Sequence, residues 1–542
     1  MHFPDFHGFK RRCTWMCVLL GLSMIAVACS QGRLTGGAAP GAVVTKTSVS
    51  LTIIEASPTV PAEQAARPGA VDQNTPTSAP APEQTQPPDS IFDSPPVASA
   101  TAGPTALPIS PLPPDEPLFG IELDAVSEQG GVNLLTEAGA HWVRRNALLW
   151  SDVESLPGQR NWQNLARLEE EFKIASENGL KLILIVRSTP AYARQVPDSA
   201  CAAVAEAYFE AFADFMFDAV SRYSQPPFNV LYWEIGNEPD VDPAHVSAQS
   251  VYGCWGDQTD PNYGGRHYAE MLKVVYPRIK AANPQAQVLV GGLLLDCDPD
   301  NPPESPPGSG KFKDCSPGRY FEGLLEAGGG AYFDAVSFHA YDYYGEGLGR
   351  YGNLNWYSTW NTTGPVLQAK AAFLNELLAR YGWGDKPLLN TEVGLICASN
   401  PAQCASDEFE LTKAYYTAQA NASALTEGLK ANIWYSLAGW RDSGLVGPGR
   451  TPRLALTAYG ASTHRLDGAV ATGALALEQG LMGYGYERQG TPGWVVWAVD
   501  DAVHHLAVQQ TPSRILDVFG VELETSNPVE IGAAPLYLEW EP

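Results

Sequence analysis

Between Leu118 and Tyr435, eight short apolar runs alternate with stretches of helical character, and this alternation restricts the chain to a parallel sheet dressed in helices. The strand-like runs fall near 118–123, 142–145, 182–186, 230–235, 288–292, 335–339, 388–392 and 431–435. Between them, apolar residues recur at i, i+3, i+4 and i+7, most clearly over 164–176, 203–222, 268–281, 366–381 and 408–426. Eight such units predict a (β/α)₈ barrel with enlarged loops at its catalytic face. A doubly wound open sheet would want a glycine-rich phosphate turn after the first strand, and Phe119-Gly-Ile-Glu-Leu-Asp124 offers none.

At 542 residues the chain exceeds one ordinary domain. Lys10-Arg11-Arg12 precedes an apolar run from Cys13 to Ala28, which reads as a secretory signal over 1–28. The run is shorter than the roughly 20 residues of a spanning helix. Ala26-Val27-Ala28-Cys29-Ser30 resembles a bacterial lipoprotein box. That resemblance implies lipidation of Cys29 and tethering to a membrane at the cell surface, with an ordinary cleaved signal or an uncleaved anchor as alternatives. Residues 29–115 are rich in Pro, Ala, Thr and Ser without apolar periodicity, and are expected to form a disordered linker. The barrel then occupies 116–467. Over 468–542 short alternating runs, near 475–477, 484–488, 494–498, 506–509, 515–518 and 536–540, predict an antiparallel β-domain packed on the barrel.

A net charge of -26, with only 17% charged residues, argues against nucleic acid as a partner and is compatible with a neutral polymer. Beyond Cys29 there are six cysteines, an even number that suggests disulfides in an exported chain. The preferred pairing is Cys201 with Cys254, Cys297 with Cys315, and Cys397 with Cys404. All six follow predicted strands on the catalytic face, where they brace loops. They form no Cys-x-x-Cys or Cys/His cluster, so neither metal nor organic cofactor is expected.

Chemistry is signalled where the fourth run stops, in Leu231-Tyr-Trp-Glu-Ile-Gly-Asn-Glu-Pro-Asp240. Pro239 cannot donate to a sheet ladder, so the strand ends there and Glu238 is left at its carboxyl end, where barrels place catalytic groups. The seventh run, Lys386-Pro-Leu-Leu-Asn-Thr-Glu-Val-Gly394, supplies Glu392 in the same way. Barrel closure sets strands four and seven across the mouth from each other. Two carboxyl groups so placed suit cleavage of a glycosidic bond, one protonated for the leaving oxygen and the other attacking the anomeric carbon.

Asn237-Glu238-Pro239 with Thr391-Glu392 resembles clan A of the glycoside hydrolases, retaining enzymes with a (β/α)₈ fold. The closest likeness is to family 39. It rests on Gly139-Ala-His-Trp-Val-Arg144, Trp150-Ser-Asp-Val-Glu154, Ser188-Thr-Pro190, Ser337-Phe-His-Ala-Tyr341, Trp434, Tyr486-Glu-Arg-Gln-Gly490 and Val495-Val-Trp497, spanning roughly residues 116 to 542. The resemblance implies Glu238 as acid/base, Glu392 as nucleophile, and Asn237 as a hydrogen-bonding partner of the sugar 2-hydroxyl. It further implies that Arg144, rather than the adjacent Arg145, holds Glu392 ionised, that Tyr341 donates to Glu392, and that Trp434 floors the sugar subsite, with plain barrel packing as the alternative for Trp434. His339 is a substrate-binding candidate or a core histidine. Tyr343, Tyr344, Trp356, Tyr357, Trp360 and Trp440 are aromatic candidates for an extended cleft.

The resulting expectation is an exported retaining glycosidase acting on a β-linked oligo- or polysaccharide. Alternatives within the clan are a family 5-like endoglucanase, a β-xylosidase or an exopolysaccharide hydrolase. From another class comes a non-catalytic surface lectin. Sugar, linkage, exo or endo action and oligomeric state are not written in these motifs.

Overall fold

The computed structural model describes residues 116–541, apart from 242–245, 248–249, 251–252, 303–314, 353–359, 361–362 and 398–400. The expected signal, Cys29 and linker lie outside the described residues, as do Trp356 and Tyr357. Among the described residues no helix is long and apolar enough to cross a membrane.

Eight parallel strands close into a barrel: β1 (Phe119–Glu122), β2 (Trp142–Leu149), β3 (Lys181–Arg187), β4 (Tyr232–Asn237), β5 (Gln287–Leu293), β6 (Ala335–Tyr344), β7 (Leu388–Ile396) and β8 (Ala431–Trp434). Each pairs with its sequence neighbour, and β8 returns to β1. A helix follows every strand: α1 (Val132–Glu137), α2 (Ala166–Glu177), α3 (Phe209–Tyr223), α4 (Gly265–Ala282), α5 (Tyr320–Glu326), α6 (Leu367–Arg380), α7 (Asp407–Thr426) and α8 (Leu454–Leu466). Strands buried on both faces explain the apolar runs that the sequence shows, since one face meets the helices and the other the barrel interior.

That interior is a packed core. Trp142, Ile183, Leu289, Ala335, Leu389, Ala431 and Ile433 form one buried cluster drawn from six strands of the ring, with Tyr232 of β4 against it. Gly120 leaves room for it, since a Cβ there would lie 2.5 Å from Trp142 Cβ. Above this apolar plug the inward positions turn polar, with Arg144, Glu234, Thr391 and His339 all fully buried.

The C-terminal residues form a six-stranded antiparallel sheet and a two-stranded one. The strands are β9 (Val470–Ala474), β10 (Leu481–Arg488), β11 (Thr491–Ala498), β12 (His504–Leu506), β13 (Arg514–Leu516), β14 (Glu522–Leu523), β15 (Val529–Ile531) and β16 (Leu536–Glu539). The run at 475–477 is not a strand. Its leucines pack beside the sheet core, and β9 precedes it as a half-exposed edge strand that apolar alternation does not mark. The sheet rests on the barrel: Gln368 of α6 donates to Tyr484 OH, and Arg465 of α8 lies 3.7 Å from Glu539.

Disulfides join Cys201 to Cys254, Cys297 to Cys315, and Cys397 to Cys404. They tie loops beyond β3, β4, β5 and β7, at the carboxyl end of the barrel. Three such bonds suit an oxidising, extracytoplasmic compartment.

Candidate active site

Backbone irregularities at the strand ends decide what faces the mouth. A regular strand alternates, so Asn237 and Glu238 could not both point inward. At the end of β4, Gly236 (φ 86°) and Glu238 (φ 51°) take left-handed conformations, and both Asn237 and Glu238 line the cleft. Glu238 is fixed by its own N–H, which donates to Gly292 O at 2.9 Å. Such a conformation costs a non-glycine residue on the order of 1 kcal/mol and clusters at functional sites.

β7 uses a different device. Phe338 pairs with Asn390 and His339 with Glu392, so one extra residue is inserted opposite β6. This bulge turns both Thr391 and Glu392 toward the interior, where Thr391 Oγ1 donates to Glu234 Oε1 at 3.0 Å. On β5, Gly292 is required by crowding. A Cβ there would lie 2.1 Å from His339 Nε2 and 2.9 Å from Glu234 Oε1.

At the centre stands the guanidinium of Arg144, with all five hydrogens used. Nε donates to Glu234 Oε2 (2.8 Å), Nη1 to Glu122 Oε2 (2.7 Å) and Glu392 Oε1 (2.5 Å), and Nη2 to Asn237 Oδ1 (2.8 Å) and His339 Nε2 (3.3 Å). Its neighbour Arg145 faces outward and pairs with Glu171 of α2 at 2.6 Å. Because Arg144 can only donate, His339 Nε2 must accept, which places the imidazole proton on Nδ1. Burial pushes His339 down to about 4, so the ring is neutral at physiological pH. Its Nδ1–H points at Glu238 Oε1 (2.9 Å) and Glu392 Oε2 (3.3 Å).

The two carboxyl groups are thus differently dressed. Burial pushes Glu238 up to about 7, against the opposing pull of the Arg144 and Lys370 charges. Glu392 receives the Arg144 hydrogen and the Tyr341 hydroxyl, both of which stabilise negative charge on it. Carboxylate oxygens of Glu238 and Glu392 and the Nδ1 of His339 lie within 4.8 Å of one another. Such a trio has the donor set of a cation site, but the guanidinium 2.5 Å from Glu392 already supplies the positive charge there.

The cleft above measures about 340 Å³ and is lined by Asn146, Asn237, Glu238, Leu294, Asp296, Tyr341, Tyr343, Glu392, Tyr435, Trp440 and Arg441. Trp440 is 47% exposed, with the Arg441 guanidinium 4.2 Å above its ring centre. Arg144 and His339 are fully buried beneath this cleft and reach a ligand through the carboxyl groups and Asn237: Arg144 donates to Glu392, and for His339 the substrate-binding expectation is corrected to its core-histidine alternative. Trp434 is corrected too. It is 1% exposed, donates to Ser443 O at 3.0 Å and packs on Tyr416 of α7, while Tyr435, the next residue, lines the cleft. Of the loop aromatics, Tyr343 and Trp440 line the cleft. Tyr344 and Trp360 are buried anchors, the latter donating to Leu295 O at 2.6 Å.

The sequence reading missed Glu122, at the carboxyl end of β1, and Lys370 of α6. The only sequence signal for Glu122 was its place at the end of the first apolar run; its pairing in register with Arg144 shows only in the fold. Lys370 carried none, since a lysine on an amphipathic helix ordinarily faces water.

No protein-family model matches the chain, and no curated protein does. Among solved structures, it is similar to a family 39 glycoside hydrolase from the gut symbiont Bacteroides cellulosilyticus WH2, at 17% identity and a TM-score of 0.58, over 80% of this chain and 82% of that one. It is also similar to a family 30 endoxylanase from Clostridium papyrosolvens C71, at 12% identity and 0.52, over 80% and 98%. A third likeness is to the catalytic domain of the family 30 xylanase C from Talaromyces cellulolyticus, at 12% and 0.52, over 80% and 99%. At such identities these likenesses establish a shared barrel fold.

Proposed function

We propose that the chain is a retaining O-glycoside hydrolase acting on a β-linked oligo- or polysaccharide, with Glu238 as acid/base and Glu392 as nucleophile. The observation that carries this reading is the approach of the two carboxyl groups to within 4.8 Å at the floor of an open cleft. Double displacement needs carboxyl groups about 5 Å apart, whereas an inverting enzyme needs roughly 6.5–9.5 Å to seat a water. The fold shared with glycoside hydrolases of families 39 and 30 supports it.

In the first half-reaction Glu392 attacks the anomeric carbon while Glu238 passes its proton to the departing oxygen, leaving a glycosyl ester on Glu392. In the second, the now ionised Glu238 takes a proton from water. The water oxygen attacks the same carbon, the ester bond breaks, and Glu392 is released as a carboxylate. Arg144, Tyr341 and His339 hold the attacking group in place, and Asn237, fixed by Arg144 through its oxygen, keeps its amide hydrogens for a sugar hydroxyl. Trp440 and Tyr435 offer aromatic faces for sugar rings. The chain is also inferred to be exported and tethered through Cys29, its linker giving the barrel reach.

Incubation with a panel of chromogenic β-glycosides and of xylan, β-glucan and mannan polysaccharides, with product analysis, tests the reading. Cleavage that initially yields the β-anomer supports it. Binding without any cleavage would instead favour a surface lectin.

A further inference from the structure

Glu122 stands outside the two-carboxylate scheme, yet it shares a nitrogen with one of its members. Arg144 Nη1 has two hydrogens, one directed at Glu392 Oε1 (2.5 Å) and the other at Glu122 Oε2 (2.7 Å). Three carboxyl groups, those of Glu122, Glu234 and Glu392, therefore face one guanidinium, in a layer where none is more than 7% exposed. His339 is neutral and adds no positive charge. Were all three carboxyls ionised, three negative charges would meet one positive charge away from water. A single proton is the least costly relief.

Hydrogen-bond counts assign that proton. Glu234 accepts on both oxygens, from Arg144 Nε (2.8 Å) and Thr391 Oγ1 (3.0 Å). Glu392 accepts on both, from Arg144 and from Tyr341. Glu122 accepts on Oε2 alone, and among the described residues its Oε1 has no partner, so Oε1 is where a hydrogen fits. In agreement, burial, followed in size by the opposing Arg144 charge, leaves Glu122 raised to about 8. The charged groups facing it are Arg144 from β2, Glu234 from β4 and Glu392 from β7.

We propose that Glu122 is a positioning residue of this site: held protonated at neutral pH, it occupies the second Nη1 hydrogen of Arg144 without adding charge, and so leaves the guanidinium charge to Glu392 and Glu234. Once it ionises, a second anion competes for the same nitrogen, and Glu392 loses part of its anchor. The inference deepens the glycosidase reading and rests on it for its kinetic consequence, but the proton itself can be tested separately.

The first arm measures thermal unfolding of the wild type and E122Q from about pH 5 to 9. A carboxyl raised in the folded state lends stability at low pH that is lost as pH rises through its folded value, and a neutral amide has no such dependence. The Tm of E122Q minus that of the wild type should therefore grow up to about pH 8 and then level off. A difference that stays constant across this range overturns the assignment of the proton, whatever the activity.

The second arm follows kcat/KM against pH with 2,4-dinitrophenyl β-xyloside and β-glucoside, whose leaving groups need no proton from Glu238. The wild type should lose several-fold of its rate above about pH 8, while E122Q keeps a flat profile there. E122L, which leaves the Nη1 hydrogen without an acceptor, should lose about tenfold or more in kcat at every pH with little change in KM. Superimposable wild-type and E122Q profiles would remove the positioning role. Failure of the wild type and all variants to cleave any glycoside or polysaccharide of the panel above, together with a pH-dependent Tm difference, would refute the glycosidase reading and spare the protonated Glu122.

Discussion

The Nδ1 of His339 lies 2.9 Å from Glu238 Oε1, and the same nitrogen lies 3.3 Å from Glu392 Oε2. One neutral imidazole proton thus touches both carboxyl groups that the proposed chemistry uses, from a ring with no exposed surface. Arg144 fixes the far side of that ring, so the acid/base, the nucleophile and their orienting groups move as one unit.

Glu238 should set the alkaline limb of activity. Burial raises it to about 7, and the first half-reaction consumes its protonated form, so kcat/KM on glycosides with poor leaving groups should fall as pH rises above about 7. Glu238→Ala should cost about 10²-fold or more on such substrates and far less on dinitrophenyl glycosides, with the limb abolished. A limb that persists in the variant would assign it to another group.

Glu392→Ala should abolish turnover while the fold survives, because the truncation removes a side chain at the cleft floor and leaves the apolar plug below it intact. Azide, small enough for the vacated space, should restore cleavage of an activated substrate and give the α-glycosyl azide, the product of one inversion. Ordinary activity in this variant would exclude Glu392 as the nucleophile.

The barrel was legible because its strands are buried on both faces, so runs such as Leu182 to Val186 are apolar throughout and stand out between amphipathic helices. Asn237-Glu238 and Glu392 were legible for a related reason, as polar residues where such runs stop. What escaped depended on local backbone geometry. Trp434 still belongs to the regular strand and points into the helix layer, whereas Tyr435, just past the end of β8, reaches the cleft. No periodicity extends past the end of a strand, so the choice between the two aromatics was not encoded in spacing. Glu122 lies in Phe119-Gly-Ile-Glu122 and has no motif around it; its meaning comes only from β1 pairing with β2.

Lys370 offers a test of the supporting shell. It is 3% exposed, yet its ammonium pairs with no carboxylate within 4 Å among the described residues, and donates instead to Leu294 O and His339 O, both at 2.8 Å. Lys370→Met keeps the length of the side chain and strands the buried carbonyl of His339 and the half-buried one of Leu294. At roughly 1–3 kcal/mol for each unsatisfied group, denaturant unfolding should show a loss of about 2–5 kcal/mol. Retained stability would mean that water replaces the ammonium.

Stability against pH should follow the buried carboxyls. Burial raises Glu122 to about 8, and Glu238 and Asp240 to about 7. A folded-state value above the unfolded one contributes stability that is present at low pH and lost as pH rises through the folded value, so all three act in the same direction. His339, lowered to about 4, works the other way, but only below its unfolded value of 6.5. Lys370 and Lys413, each lowered to about 8, restore stability only above that pH. Between about pH 6.5 and 8 the carboxyls are therefore unopposed, and the stability should drop by on the order of 2 kcal/mol, a few degrees in Tm. Calorimetry across that window checks the sign: a Tm that rises from 6.5 to 8 would mean that these carboxyls are not protonated in the folded chain.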